Sequence, residues 1–421
     1  QLTYKLNYKV GSIEIPYLAV RETSGKIKYY ALSSGTSEAA SKYIPITNDL
    51  LRGNKMVMIK QLLSLRSYEG IPVKSIGKGW LTLGGSTDLQ KNAGYYAGDL
   101  SGITQKKAPF WFQPFYKPGK RIARQKDWNK KIAEIVEKAP EWDIGFLIGV
   151  PAWIQMCVEQ IVERYQLKNI HELWPNLAFF VHGGVSFEPY KKGFEKMLGK
   201  PITYIETYLA SEGFIAYQDK QYAKGMRLVT NEHIFLEFVP FDDINFTADG
   251  EMIENPEALM LHEVEEGKDY ALLISTTAGT WRYLIGDTVK FVDKEKSEII
   301  ITGRTKHFLS LVGEHLSVDN MNKAVQMASQ KFNISIPEFT VAGIPVDNFF
   351  GHHWFVACDD KVDQKLLCNF IDECLNELND DYAVERKSAL KEVRLTVLKE
   401  EDFMNFMLSK GKVGGQHKFP R

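Results

Sequence analysis

With 421 residues, 44% hydrophobic and 25% charged, the chain is ordinary globular material, which excludes a disordered or fibrous protein. Its 52 Lys and Arg stand against 53 Asp and Glu, a formal charge of -1, so nothing in the balance favours nucleic acid or anionic lipid as main partner. The length implies more than one domain, and no apolar run approaches the roughly 20 residues needed to span a bilayer.

The first residue is Gln1 rather than Met, so the sequence reads as a fragment without its native start, and its opening stretch has no signal-peptide hydrophobic region. Cys157, Cys358, Cys368 and Cys374 form neither a CxxC pair nor a zinc spacing. A soluble, cytoplasmic protein without disulfides fits these features.

In chain order, an extended run from Ile27 to Leu32 leads into Ser33, Ser34, Gly35, Thr36 and Ser37, with Lys42 shortly after. Trp111, Phe112 and Phe115 follow, aromatics that either line a pocket or pack. Asp127 caps a predicted helix from Trp128, whose Ile132, Ile135 and Val136 share a face until Pro140 stops it. Ile144 to Val150 reads as a buried strand, Pro151 as the first turn of a helix carrying Ile154, Val158, Ile161 and Val162, and Leu177 to Val181 as the next strand. From Met226 to Thr302 the character becomes β-rich, consistent with a small barrel or second sheet. Beyond Gly303 the pattern is helix at 317 to 330, strands at 338 to 344 and 353 to 358, helix at 361 to 379 and strand at 393 to 398. The expected fold is therefore α/β. A large N-terminal domain (1–303) has sheets covered by helices plus a β-barrel-like part, and a hinge joins it to a small α+β C-terminal domain (304–421).

Five places carry candidate chemistry. The Ser33 to Ser37 loop offers hydroxyls and backbone N–H groups to phosphate, although it lacks the Walker A order and such loops are usually plain turns. Tyr204 to Glu212 is a β-leaning run ending in a polar pair before Gly213; Glu212 could hold Mg²⁺, though taken singly it reads as a cap or a solvent-facing residue. In Thr280 to Asp287 an acidic residue follows a glycine at an expected strand end, a placement suited to ribose hydroxyls. Arg304 and Lys306 fall at the domain junction, where Arg304 supplies a fixed donor fork. The terminal Gly411 to Arg421 run could deliver Lys418 to a phosphate or could be a frayed tail. Nine histidines are scattered, and His352 and His353 on one strand would face opposite ways, so no metal site is expected there.

These five segments in this order resemble the adenylate-forming superfamily of acyl-CoA synthetases, peptide-synthetase adenylation domains and luciferases. More closely, they are similar to the auxin-responsive acyl acid amido synthetases, over nearly the whole chain. The resemblance implies that Ser33, Ser34, Gly35, Thr36 and Ser37 hold ATP phosphates, that Gly183, Gly184 and Val185 run along the adenine, and that Tyr208, Ala210 and Ser211 line the nucleotide. It further implies Glu212 as the Mg²⁺ ligand, Asp287 on the ribose with Arg304 beside it, Lys306 as hinge and Lys418 as catalytic lysine. Two departures stand out: Glu38-Ala-Ala-Ser41 replaces a more glycine-rich continuation, and Leu209 stands where wider members often carry glycine.

The implied activity is ATP-dependent activation of a small carboxylic acid as acyl-AMP, then acyl transfer to an amine, with an amino acid expected. ATP and Mg²⁺ are the implied cofactors, and neither nucleic acid nor membrane is an expected partner. An acyl-CoA ligase with a thiol acceptor shares the first half-reaction, and a non-catalytic nucleotide-binding protein of the same fold is the alternative outside enzymes.

Overall fold

The computed structural model describes residues 7–10, 13–16, 27–33, 42–92, 94–184, 186–247, 250–305, 308–309, 316–346, 349–379, 382–383, 386 and 390–409. Its centre is an eleven-stranded sheet. From one edge the strands run Tyr116–Lys117, Gly79–Thr82, Ile144–Gly149, Phe179–Gly183 and Thr203–Ala210, all mutually parallel. They continue with Gly213–Tyr217, Met226–Leu228, Glu298–Arg304, Tyr283–Asp293, Asp269–Thr276 and Ile234–Pro240, all antiparallel to their neighbours.

The parallel half is covered on both faces, as parallel sheets require. Phe180 belongs to a cluster with Ile132, Ile135, Val158, Ile161 and Phe194 from the helices Trp128–Lys138, Pro151–Arg164 and Glu188–Lys196. Its neighbour Phe179 belongs to a second cluster with Leu65, Tyr68, Phe146 and Ile205. Successive strand residues thus feed two cores. The helix boundaries follow their local signals: Asp127 Oδ1 accepts the Lys130 N–H at 3.0 Å, and Pro151 occupies the first turn of its helix.

One strand is displaced from its expected place. Phe179–Gly183 begins two residues after Leu177, because the Leu177 N–H is still bonded to the Trp174 carbonyl, at 3.0 Å, in the preceding turn. The β-rich stretch after Met226 is continuous with the large sheet through Met226–Leu228, while Phe238, Tyr270 and Phe291 form part of a core of their own. A four-stranded sheet includes Tyr29–Ser33 and Lys42–Ile46, and Ala31, Ile44, Leu50 and Leu100 pack in one cluster that joins it to neighbouring helices.

The C-terminal part is a three-stranded sheet, Phe339–Val346, Phe349–Ala357 and Leu390–Leu398, packed with helices Val318–Phe332 and Gln364–Leu378 around Trp354, Phe339, Ile371 and Leu375. The charged run from Lys391 to Phe403 spans the last strand and enters helix Glu400–Ser409. His352 is buried and His353 hydrogen-bonds Thr396 Oγ1 at 2.9 Å, the opposed environments expected of strand neighbours.

Polar contacts tie this part to the large sheet's helices: Lys192 Nζ donates to Asn333 Oδ1 at 2.8 Å and Gln326 Nε2 to Glu188 Oε2 at 3.0 Å. Nearby, burial, followed by the Glu159 and Asp359 carboxylates, pushes the Glu400 carboxyl up to about 7. A carboxyl raised on folding retains a proton that the unfolded chain releases, so its stabilising share is complete below the unfolded value and lost as pH rises to about 7. Glu400→Gln should flatten that decline and be the more stable form at pH 8 by on the order of 1–3 kcal/mol. Thermal melts of both proteins from pH 5 to 8 check this; parallel curves would refute it.

Candidate functional site

In open α/β sheets ligands gather beyond the carboxyl ends of the parallel strands. At that edge Phe179–Gly183 ends in Gly183, paired in register with Thr207. A Cβ at Gly183 would lie 2.2 Å from the Thr207 carbonyl oxygen, so only glycine fits. The Thr207 hydroxyl donates to the His182 carbonyl at 2.9 Å, and Gly184 follows at φ +85°, in the left-handed region. The strand end therefore presents backbone rather than side chain. His182 beneath it is enclosed by Phe180 and Phe187, and burial pushes its imidazole down to about 3, which keeps it neutral.

The neighbouring strand Thr203–Ala210 turns through Ser211 and Glu212 into Gly213–Tyr217. Glu212 is only 7% exposed, which excludes the solvent-facing alternative. Leu209, the departure noted in the sequence, sits at a register shift in this hairpin with its side chain exposed. Tyr208 is buried on the same hairpin, and its hydroxyl donates to Asp287 Oδ2 at 2.6 Å. Burial first, and the Asp287 carboxylate second, push the Tyr208 phenol well above its ordinary value, so it stays a proton donor.

Asp287 is not at a strand end as expected but inside Tyr283–Asp293. Gly286 before it adopts φ +87°, and the pairing with Asp269–Thr276 slips between Ala271 and Leu273. This bulge interrupts the ladder locally, a re-aiming that bulges commonly provide beside functional sites. The cross-strand partner of Asp287 is Arg304, whose Nε lies 2.9 Å from Asp287 Oδ1, while Arg304 Nη2 donates to the Ile285 carbonyl at 3.4 Å. Among the described residues each Asp287 oxygen has one protein partner, which leaves each a second lone-pair direction on the same carboxylate. A vicinal diol matches that pattern.

The structure therefore gathers Gly183, Gly184, Thr207, Tyr208, Ala210, Ser211 and Glu212 on adjoining strand ends, with Asp287 and Arg304 reached through Tyr208. Ser33 ends the Tyr29–Ser33 strand, paired with Lys42. Ser34, Gly35, Thr36, Ser37, Val185, Lys306 and Lys418 lie outside the described residues. Phe112 stands edge-on to Trp80 at 5.2 Å between centroids and lies 6.3 Å from Tyr116, so it packs. Among the described residues no group of three His, Cys, Asp or Glu side chains could by itself hold a metal ion.

Sequence reasoning missed the Thr207 hydroxyl that ties two strand ends together, and the support under the Asp287 segment. There Arg282, at φ +43°, accepts its place through its N–H on Ser275 Oγ at 2.9 Å and its Nε paired with Glu237 at 3.1 Å. The available signal was Arg282 itself, an arginine inside the Arg-Tyr-x-x-Gly-Asp segment.

A parallel sheet with a glycine-lined carboxyl edge, an antiparallel extension bearing a diol-shaped acceptor and a small α+β unit behind it define an adenylate-forming fold. The similar solved structures include 2-hydroxyisobutyryl-CoA ligase in the postadenylation state with 2-HIB-AMP, at a TM-score of 0.53 and 11% identity over 90% of this chain and 75% of that one. They also include AtGH3.15 acyl acid amido synthetase in complex with 2,4-DB, at 0.74 and 16% over 94% and 79%. Three family models, the GH3 family N-terminal, central and C-terminal domains, match residues 21–136, 227–300 and 319–421, and the chain belongs to the GH3 family.

Among curated relatives, indole-3-acetic acid-amido synthetase GH3.4 of Arabidopsis thaliana is 24% identical over 315 residues, 69% of this chain and 50% of that protein. Jasmonoyl--L-amino acid synthetase GH3.5 of Oryza sativa subsp. japonica is 30% identical over 176 residues, 38% and 29% respectively. The aligned regions thus span half or less of these relatives.

Proposed function

We propose that this chain is an ATP-dependent acyl acid amido synthetase: it activates a small carboxylic acid as acyl-AMP and transfers the acyl group to an amine, an amino acid being the expected acceptor. The observation that carries this is the Tyr208–Asp287–Arg304 constellation, a carboxylate held by two partners and reached from the strand beside the bare Gly183–Gly184 backbone, an arrangement that supports a role in holding ribose hydroxyls. Membership of a family whose curated relatives include an indole-3-acetic acid-amido synthetase and a jasmonoyl--L-amino acid synthetase adds to it.

In the first half-reaction a carboxylate oxygen of the acid attacks the α-phosphorus of ATP and pyrophosphate leaves. Asp287 would hold the ribose, the Gly183, Gly184 and Val185 run the adenine, and the Ser33 to Ser37 loop the phosphates. Lys418 would place a cation where charge accumulates. In the second half-reaction the amine nitrogen attacks the acyl carbonyl, the bond to AMP breaks, and the nitrogen gives up a proton. Residues 304–421 would turn relative to 1–303 about Lys306 between the two steps, withdrawing Lys418.

Glu212 fits a magnesium site of the usual nucleotide kind, in which one or two carboxylates share the ion with substrate phosphates. Its enclosure at the hairpin turn beside Tyr208 agrees with that. When bound, Mg²⁺ supplies charge neutralisation to the phosphate oxygens. Glu212→Gln, nearly isosteric but uncharged, should keep the fold and lower pyrophosphate exchange at least about tenfold at ordinary magnesium, with partial recovery at high magnesium. Wild-type exchange in the variant would remove Glu212 from this role.

An acid-by-amine screen for AMP formation, with coenzyme A among the acceptors, tests the proposal. AMP and amide with amino acids support it; a thioester with coenzyme A would place the chain with acyl-CoA ligases, and no AMP with any pair would favour a non-catalytic nucleotide binder.

A further inference from the structure

Lys131 is a lysine only 4% exposed, on the inner face of helix Trp128–Lys138 beside Trp128, Ile132 and Ile135, and the chemistry above leaves it without a task. An ammonium in such a cluster is costly unless something holds it there. Its Nζ donates to the Gly84 carbonyl at 3.0 Å, and the Asp99 carboxylate supplies opposite charge. The N–H of the same peptide unit, on Gly85, donates to Ser101 Oγ at 2.8 Å, and Asp99 Oδ1 accepts the Ser101 N–H at 2.7 Å. One peptide plane is thus gripped at both ends, and its two grips meet around Asp99.

Neither flanking residue can carry a side chain. A Cβ at Gly84 would lie 2.5 Å from Ser101 Oγ, and one at Gly85 2.4 Å from the Asp99 Cβ. Two consecutive glycines make the peptide intrinsically free to flip, so its orientation depends on the partners. The segment is at a telling place. It follows the carboxyl end of Gly79–Thr82, where the Leu83 N–H bonds the Ile148 carbonyl at 2.9 Å, next to the end of Ile144–Gly149, itself next to Gly183. Tyr208, on the parallel neighbour of the Gly183 strand, and Asp287 lie toward the antiparallel half of the sheet, and the Gly149 and Leu83 ends are the remainder of the same edge on the other side. At roughly 4.8 Å per strand they lie within about 10 Å of Gly183, the reach of a small acyl acid extending from an adenylate.

We infer that Lys131 is a positioning residue for the acid side of the site, fixing the Gly84–Gly85 peptide so that the Gly84 to Asp88 loop forms a rigid wall for the acyl acid. The inference rests on the adenylation reading for its substrate. Lys131 touches no reactant; it acts through the loop, and so sets which acids fit rather than how fast the adenylate forms.

Lys131→Met and Lys131→Arg in the full chain test this, with two readouts. Amide hydrogen exchange of the Gly84 to Asp88 stretch should be at least about tenfold faster in Lys131→Met and near wild type in Lys131→Arg, which retains a donor. In pyrophosphate exchange with indole-3-acetate, benzoate and 2,4-DB as probe acids, Lys131→Met should raise the acid KM about tenfold with the ATP KM within about twofold. Unchanged loop exchange, or equal rises in both KM values, would overturn the inference. If the wild type exchanges pyrophosphate with no acid, the adenylation reading fails instead, and loop exchange alone decides whether Lys131 positions the loop.

Discussion

Asp287→Ala is expected to lower kcat/KM for ATP in pyrophosphate exchange by about a hundredfold or more. The substitution removes both acceptors offered to the ribose and at the same time leaves the Arg304 Nε and the buried Tyr208 hydroxyl without the partners they hold at 2.9 and 2.6 Å. Hydrogen bonds to a charged group contribute roughly 1.5–3 kcal/mol each, so two lost ribose contacts suffice for the effect. Because the contacts exist before as well as during the reaction, ATP affinity and kcat/KM should fall together while kcat changes little. Tyr208→Phe separates the parts: it keeps the carboxylate and removes only its support, so a smaller loss, about tenfold or less, is expected. Unchanged ATP kinetics in Asp287→Ala would show that the constellation is structural.

Lys418→Ala is expected to depress acyl-adenylate formation about a hundredfold while leaving the reaction of preformed acyl-adenylate with an amine nearly intact. Negative charge gathers around the α-phosphate only in the first step, and a preorganised cation there is worth about 3 kcal/mol at that transition state alone. The residue follows Gly411, Gly414 and Gly415 and lies outside the described residues, so the asymmetry between half-reactions, rather than geometry, is the diagnostic. Single-turnover measurements of each step give it directly. Equal losses in both steps would move the catalytic lysine elsewhere, with Lys306 and Lys42 the next to examine.

What the sequence made legible are features written in a few adjacent residues. Asp127 followed by Ile132, Ile135 and Val136 specifies a capped amphipathic helix, and helix Trp128–Lys138 is there with its cap bonded. Glycine, tyrosine and acidic residues in the Tyr208 and Asp287 segments mark the site, and the two segments meet. Their meeting was not legible, because it depends on long-range register: 79 positions separate Tyr208 from Asp287, and the Gly286 bulge falls inside an eleven-residue strand. Asp287 was therefore expected at a strand end. Lys131 illustrates the other limit. A lysine on an amphipathic helix reads as solvent-facing, and only the tertiary pairing of Gly84, Ser101 and Asp99 from distant segments makes its burial sustainable. The glycine pair at 84 and 85 gave no hint of it, since consecutive glycines signal a turn more often than a gripped peptide.

If an acid oxygen bonds to the α-phosphorus before an amine arrives, isotope transfer will reveal it. With an active acid carrying ¹⁸O in both carboxylate positions, ATP and an amino acid acceptor, mass spectrometry should find one ¹⁸O in the AMP released and one retained in the amide carbonyl. Activation at the γ-phosphorus would instead put the label in inorganic phosphate and yield ADP, and unlabelled AMP would mean that the acid never formed an adenylate; either result would contradict the account.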